Sequence, residues 1–108
     1  MLLGMAASDP APVTLVIGDE ELLADRAVGE VVAAARAADP STETHDLIGG
    51  KVEPGELTRL TSPSLFGDRS VVVIRSAHDL VKEVIAEIVS YAAHPAEETT
   101  LVLVHPGE

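Results

Sequence analysis

Two rhythms of apolar and polar positions alternate along this chain. Val13 to Ile17, "VTLVI", is a short β-branched run closed by Gly18, and beyond it the period lengthens, with Leu23, Ala27, Val31 and Ala35 standing four apart between Glu20 and Ala38. A strand, a tight turn and a helix are predicted. Asp39-Pro40 ends that helix, because proline cannot continue it and drives the preceding residue toward extended geometry. Thr44 to Ile48 mixes polar and apolar residues, as an edge strand does. Gly49-Gly50 and Pro54-Gly55 bracket a loop, and Glu56 to Leu60 forms a brief helix that ends at the Ser62-Pro63 break.

Ser70 to Ile74, "SVVVI", and Thr100 to Val104, "TLVLV", are continuous apolar runs, the pattern of strands covered on both faces of a parallel sheet. Between them Val81, Val84, Ile85, Ile88, Val89 and Ala92 repeat at helical spacing, with Lys82, Glu83 and Glu87 opposite and Asp79 placed to cap the start. Strand–helix alternation calls for right-handed crossovers and helices on both faces. The predicted fold is therefore a three-layer α/β domain with a parallel sheet, strand order 2-3-4-1. Residues 1–12 read as a mobile N-terminal arm and residues 13–108 as one domain without internal repeats. The chain runs out on a strand, "LVLVHPGE", with no closing helix, and is expected to be a truncated part of a longer protein.

Composition narrows the function. Hydrophobic residues make up 46% of the 108, enough for a core, but a single Phe, a single Tyr and no Trp leave no base-stacking platform for single-stranded nucleic acid. Eighteen acidic against seven basic residues give a charge of −11, a field that repels phosphate backbones and acidic membrane surfaces. No run is long enough to span a membrane, no secretory signal is evident, and no cysteine is available for disulfides or thiolate metal sites. A cytoplasmic location is expected.

Each place where catalysis or cofactor binding would show itself lacks a necessary part. A phosphate loop after the first strand needs glycines and a Gly-Lys-Ser/Thr, but "IGDEELLADRA" presents Asp19, Glu20 and Glu21, which suit the positive end of a helix instead. The same acidic turn resembles the start of a response-regulator receiver, yet the phosphate-accepting aspartate due after the third strand is Arg75. Arg75-Ser76 also stands where an ATPase carries the acidic pair that orders magnesium and water. His45, His78, His94 and His105 match no local zinc motif, and no Gly-x-Ser-x-Gly elbow occurs. No cofactor, metal or catalytic residue is assigned.

That leaves Ser62 to Arg69, "SPSLFGDR", which holds the one phenylalanine beside a leucine. Leu65 and Phe66 either plug the core beneath a loop or form a partner anchor on a turn stiffened by Pro63 and released by Gly67. "LVIGDEELLADRAV", "LTSPSLFGDRSVVVIRSAHDL" and "TTLVLVHPG", in this order and spacing, resemble the N-terminal domain of the delta subunit of bacterial DNA polymerase III. The first stretch is similar to that family's "lyGeEefLl" and the second, the most specific, to its "slFgdrrlvvvrna". The resemblance covers nearly all of residues 13–107.

The resemblance implies a P-loop NTPase-like topology of AAA+ (RecA-like) type with a degenerate nucleotide site, in a clamp-loader subunit that is not an enzyme. It implies that the domain binds the sliding clamp, the beta subunit, through Leu65 and Phe66, with Ser62 and Ser64 at neighbouring motif positions, and helps open the ring for loading on primed DNA. Contacts with the tau/gamma and delta prime subunits would be made through the full-length protein, and DNA would be met only in the holocomplex. The competing expectation is a signalling or scaffold domain derived from a receiver-like or nucleotide-binding fold, with Leu65 and Phe66 buried.

Overall fold

The computed structural model describes residues 13–18, 20–61, 69–95 and 98–106. Four strands, β1 (Val13–Ile17), β2 (Glu43–Ile48), β3 (Ser70–Arg75) and β4 (Thr99–His105), form one sheet in the order β1-β4-β3-β2, every neighbouring pair parallel. The order is the expected one. Helix α1 (Glu21–Ala38) joins β1 to β2, α2 (Glu56–Thr61) lies between β2 and β3, and α3 (Lys82–Ala93) lies between β3 and β4. Short 3₁₀ turns at Gly49–Lys51 and Ala77–Asp79 follow β2 and β3.

The two faces of the sheet carry separate cores. On one, α1 brings Ala24, Val28 and Ala35 against Val16, Val71, Val73, Val102 and Val104. On the other, α2 and α3 bring Leu57, Val84, Ile88 and Tyr91 against Val72, Ile74 and Leu101. Successive side chains of a strand point to opposite faces, so β3 must be apolar at every position to serve both layers, and Val71 to Ile74 are fully buried. Each such side chain contributes about 1.5–3 kcal/mol. These three layers place β3 and β4 in the centre and leave β1 and β2 as edges.

The helical faces differ from expectation in three places. Leu23 is exposed, and the buried line of α1 runs through Ala24 and Val28 instead. A row spaced by four drifts around a helix of 3.6 residues per turn, so Leu23 lies well off the side that holds Ala35. Val81, Ile85 and Val89 are also exposed, leaving Val84, Ile88 and Tyr91 as the buried line of α3. Asp79 does not cap that helix: it belongs to the 3₁₀ turn, and Val81 occupies the cap position without a side-chain hydrogen bond.

Candidate functional site

The segment carrying Ser62, Ser64, Leu65 and Phe66 lies outside the described residues, but both of its attachment points are within them. The leading end is α2. Six residues are too few for a helix stable in isolation, so α2 needs outside support. Leu57 supplies part of it from the core, at no exposure to solvent. Glu87 of α3 supplies the rest. Its carboxylate accepts from the Gly55 N–H at 2.7 Å, the Thr58 N–H at 3.1 Å and the Thr58 hydroxyl at 2.9 Å. The two N–H groups are among the donors that a helix N-terminus leaves unpaired. Gly55, at φ +90°, makes the turn into this arrangement. At the last position of α2 the buried Thr61 donates its hydroxyl to the Leu57 carbonyl at 2.9 Å.

The trailing end is Arg69. Its N–H donates to Asp39 Oδ2 at 3.0 Å, and its carbonyl accepts from the Glu43 N–H at 3.0 Å. The Asp39 carboxylate also accepts from the Ser41 N–H at 2.9 Å, while its backbone N–H donates to the Ala35 carbonyl, so one residue closes α1, turns the chain into β2 and pins the residue before β3. The next N–H, that of Ser70, donates to the Glu98 carbonyl at 2.7 Å. Residues 62–68 thus leave and re-enter a braced frame, and their re-entry is at the amino end of the sheet.

Glu87 and Asp39 were not singled out by the sequence. An Asp-Pro pair after a helix is a recognisable signal for a side-chain turn, but the link from Asp39 to Arg69 spans thirty residues and has no local signature. Glu87 read only as a solvated position opposite an apolar stripe.

Both carboxyls titrate below their ordinary range. For Asp39 the cause is the Arg69 N–H, then that of Ser41, which outweigh partial burial. For Glu87 burial acts upward, but the bonds from Gly55 and Thr58 overcome it. A depressed carboxylate stabilises the fold fully above the unfolded value and loses that contribution as pH falls through the folded value. Stability is therefore expected to fall as pH drops through and below the normal carboxylate range. Glu87→Gln, which puts an amide donor where an acceptor is needed, is expected to lower stability near pH 7 by roughly 1 kcal/mol, discounted for exposure, and to flatten the acid slope. Urea unfolding of both forms across the acid range checks this; an unchanged slope would refute the role of Glu87.

At the carboxyl end of the sheet the geometry is different. Arg75, at the end of β3, places Nη1 2.5 Å from Asp25 Oδ1 on α1 and Nε 3.1 Å from Asp46 Oδ1 on β2. Burial would lower the guanidinium pKa, but the two carboxylates raise it above its ordinary value, so it remains charged. The position that an ATPase gives to an acidic pair holds a cation already engaged by two acids. Glu20 precedes α1 without a side-chain capping bond, and its carbonyl accepts from the Ala24 N–H; Asp19 lies outside the described residues. Stabilisation of the helix start is thus left to the charge of Glu20 and Glu21, not to a side-chain cap.

Of the four histidines, His78 and His105 meet edge to face with ring centroids 5.8 Å apart, and His45 lies 3.6 Å from Glu43. Among the described residues no three His, Asp or Glu side chains converge on a point that could hold a metal ion. No described helix is long and apolar enough to cross a membrane. No family model, curated protein or solved structure compared with this chain matches it.

Proposed function

We propose that this chain is the non-catalytic clamp-binding domain of a bacterial replication clamp loader, with Leu65 and Phe66 as its anchor. One observation carries the proposal: the segment holding the only phenylalanine is flanked by elements that distant carboxylates hold, with Glu87 bonded to the start of the helix that leads into it and Asp39 to Arg69, which follows it. A short connection with fixed ends loses little entropy when its apolar residues enter a partner's pocket. The parallel order β1-β4-β3-β2 fits an AAA+ core, and the Arg75 pairing fits one whose nucleotide site has been abandoned. Ser62 and Ser64 would shape the loop around the anchor.

Leu and Phe each contribute about 1.5–3 kcal/mol on full burial, enough to dominate a small interface. Opening the ring needs only that the domain bind the open clamp more tightly than the closed one. With its charge of −11, the domain would leave DNA contact to other parts of the loader. Calorimetry against the cognate clamp tests the proposal. The Leu65→Ala/Phe66→Ala variant is expected to bind at least about 100-fold more weakly, equivalent to about 3 kcal/mol, with an unchanged urea midpoint. Equal binding by both forms would exclude the anchor. An unfolding free energy lowered by several kcal/mol would instead place the pair in the core, as a scaffold domain requires.

A further inference from the structure

The two edges of the sheet are built differently. β2 carries Glu43, His45 and Asp46 along its length, and charge on an edge strand is a common means of keeping other strands away. β1, "VTLVI", has no charged residue, no proline and no glycine. Among the described residues no strand pairs with its outer side. The direction of its backbone groups follows from one bond, in which the Gly18 N–H donates to the His105 carbonyl of β4. Such groups alternate along a strand, so those of Thr14 and Val16 also turn toward β4, and those of Val13, Leu15 and Ile17 turn outward. Leu15 and Ile17 are in addition 49% and 54% exposed, on the side-chain face they share with Val13 and the α3 core.

This edge is complementary to itself. A two-fold axis normal to the sheet and passing beside Leu15 lays β1 antiparallel to a second β1, with Leu15 opposite the partner's Leu15, Val13 opposite the partner's Ile17 and Thr14 opposite the partner's Val16. Because Val13, Leu15 and Ile17 all direct their N–H and C=O groups outward, each of their facing pairs exchanges two hydrogen bonds. The axis keeps α3 of both copies on one side of the joined sheet. The exposed Leu15 side chains therefore meet, each Ile17 meets the partner's Val13, and no cross-strand pair involves a charge.

We propose that β1 joins a second copy of this chain through its outer edge, merging the two four-stranded sheets into one. The junction is about 17 Å long, which places it among small, transient interfaces, and dimerisation is expected at roughly 0.1–1 mM. The charge of −11 on each copy opposes association, but β1 itself is neutral, and charges more than about 10 Å apart are largely screened at 0.1 M salt. The dimer should therefore tighten several-fold between about 0.05 and 0.5 M NaCl, the opposite of an interface held by ion pairs. Self-pairing does not rest on Leu65 or Phe66, so it stands or falls separately from clamp binding.

Sedimentation of the chain from about 10 µM to about 1 mM measures the association. An engineered cysteine reads its register, since the chain has none of its own. Leu15→Cys brings two thiols together across a hydrogen-bonded pair, with Cα atoms about 5.5 Å apart and within disulfide range, whereas Ile17→Cys leaves them about 15 Å apart. Under mild oxidation Leu15→Cys is expected to form a covalent dimer at least about 10-fold faster than Ile17→Cys. Leu15→Lys or Ile17→Lys, the kind of charge that blunts natural edges, should abolish the dimer, whereas Ile48→Lys, at an exposed position on the β2 edge, should leave it intact. Urea unfolding establishes that each variant keeps its fold. A chain that stays monomeric at about 1 mM overturns the proposal, as does a dimer that survives both lysine variants, one that weakens as salt rises, or equal cross-linking at positions 15 and 17.

Discussion

Leu57→Ala is expected to cost about 2–5 kcal/mol, the range for removing a fully buried leucine from a core that cannot collapse around the gap. The expectation rests on where Leu57 stands. It is the principal core anchor of a six-residue helix, in one cluster with Val52, Val72, Ile74, Val84, Ile88 and Tyr91. Apart from Val52, in the loop before α2, those neighbours belong to the central strand β3 and to α3, which their own contacts hold in place, so little can move to fill the space. A domain of this size has about 5–15 kcal/mol in total. The variant should consequently unfold at a much lower urea concentration, with the slope of the transition preserved if the folded and unfolded states remain alike. A loss below about 1 kcal/mol would show that α2 adjusts freely over the sheet. The frame that braces residues 62–68 would then be weaker than its hydrogen bonds indicate.

The core of this fold was legible because its strands carry their burial in their composition. "VVVI" and "TLVLV" are apolar at every position, which only a strand covered on both faces requires, and the alternating order of strands and helices with a handed crossover leaves few topologies. The helices were less legible. Apolar spacing gives the width of a stripe but not how much of it the sheet covers, so Leu23, Ile85 and Val89 read like Val84 and Ile88 until the neighbouring layer is present. The site divides the same way. Leu65 and Phe66 could be singled out because a lone Phe beside a Leu between turn residues is a local signal. Asp39 and Glu87, which brace the ends of that segment, act on residues about thirty positions away, and nothing local marks them. The Arg75 pairing with Asp25 and Asp46 was hidden too: the absence of an acidic pair at Arg75-Ser76 is visible in sequence, but the two acids that engage the arginine come from different elements.

Gly49→Ala is the second substitution expected to have a large effect, and its cause is a single contact. A Cβ at position 49 would lie 2.2 Å from the Ser76 carbonyl oxygen and 3.3 Å from that of Arg75, both backbone atoms that cannot rotate away. Either the turn after β2 or the turn after β3 must shift by about 1 Å, which lies toward the upper part of the 1–3 kcal/mol range for overpacking. Ser76 has little freedom to yield, since it already holds a left-handed conformation at φ 57°, unfavourable for a residue with a side chain. Ser76→Gly removes that penalty in either background and also frees the backbone to yield, so it should gain about 1 kcal/mol more when added to Gly49→Ala than it does alone, making the pair less damaging than the sum of its parts. Urea unfolding of the two single variants and the double variant measures this coupling. If Gly49→Ala falls within about 0.5 kcal/mol of the parent, the two turns are not held in contact. If the cost is large and Ser76→Gly relieves it, the Gly49–Ser76 contact fixes the end of β3. Arg75 then meets Asp25 and Asp46 because the backbone leaves it no other position, and the carboxyl end of the sheet is a rigid, closed surface.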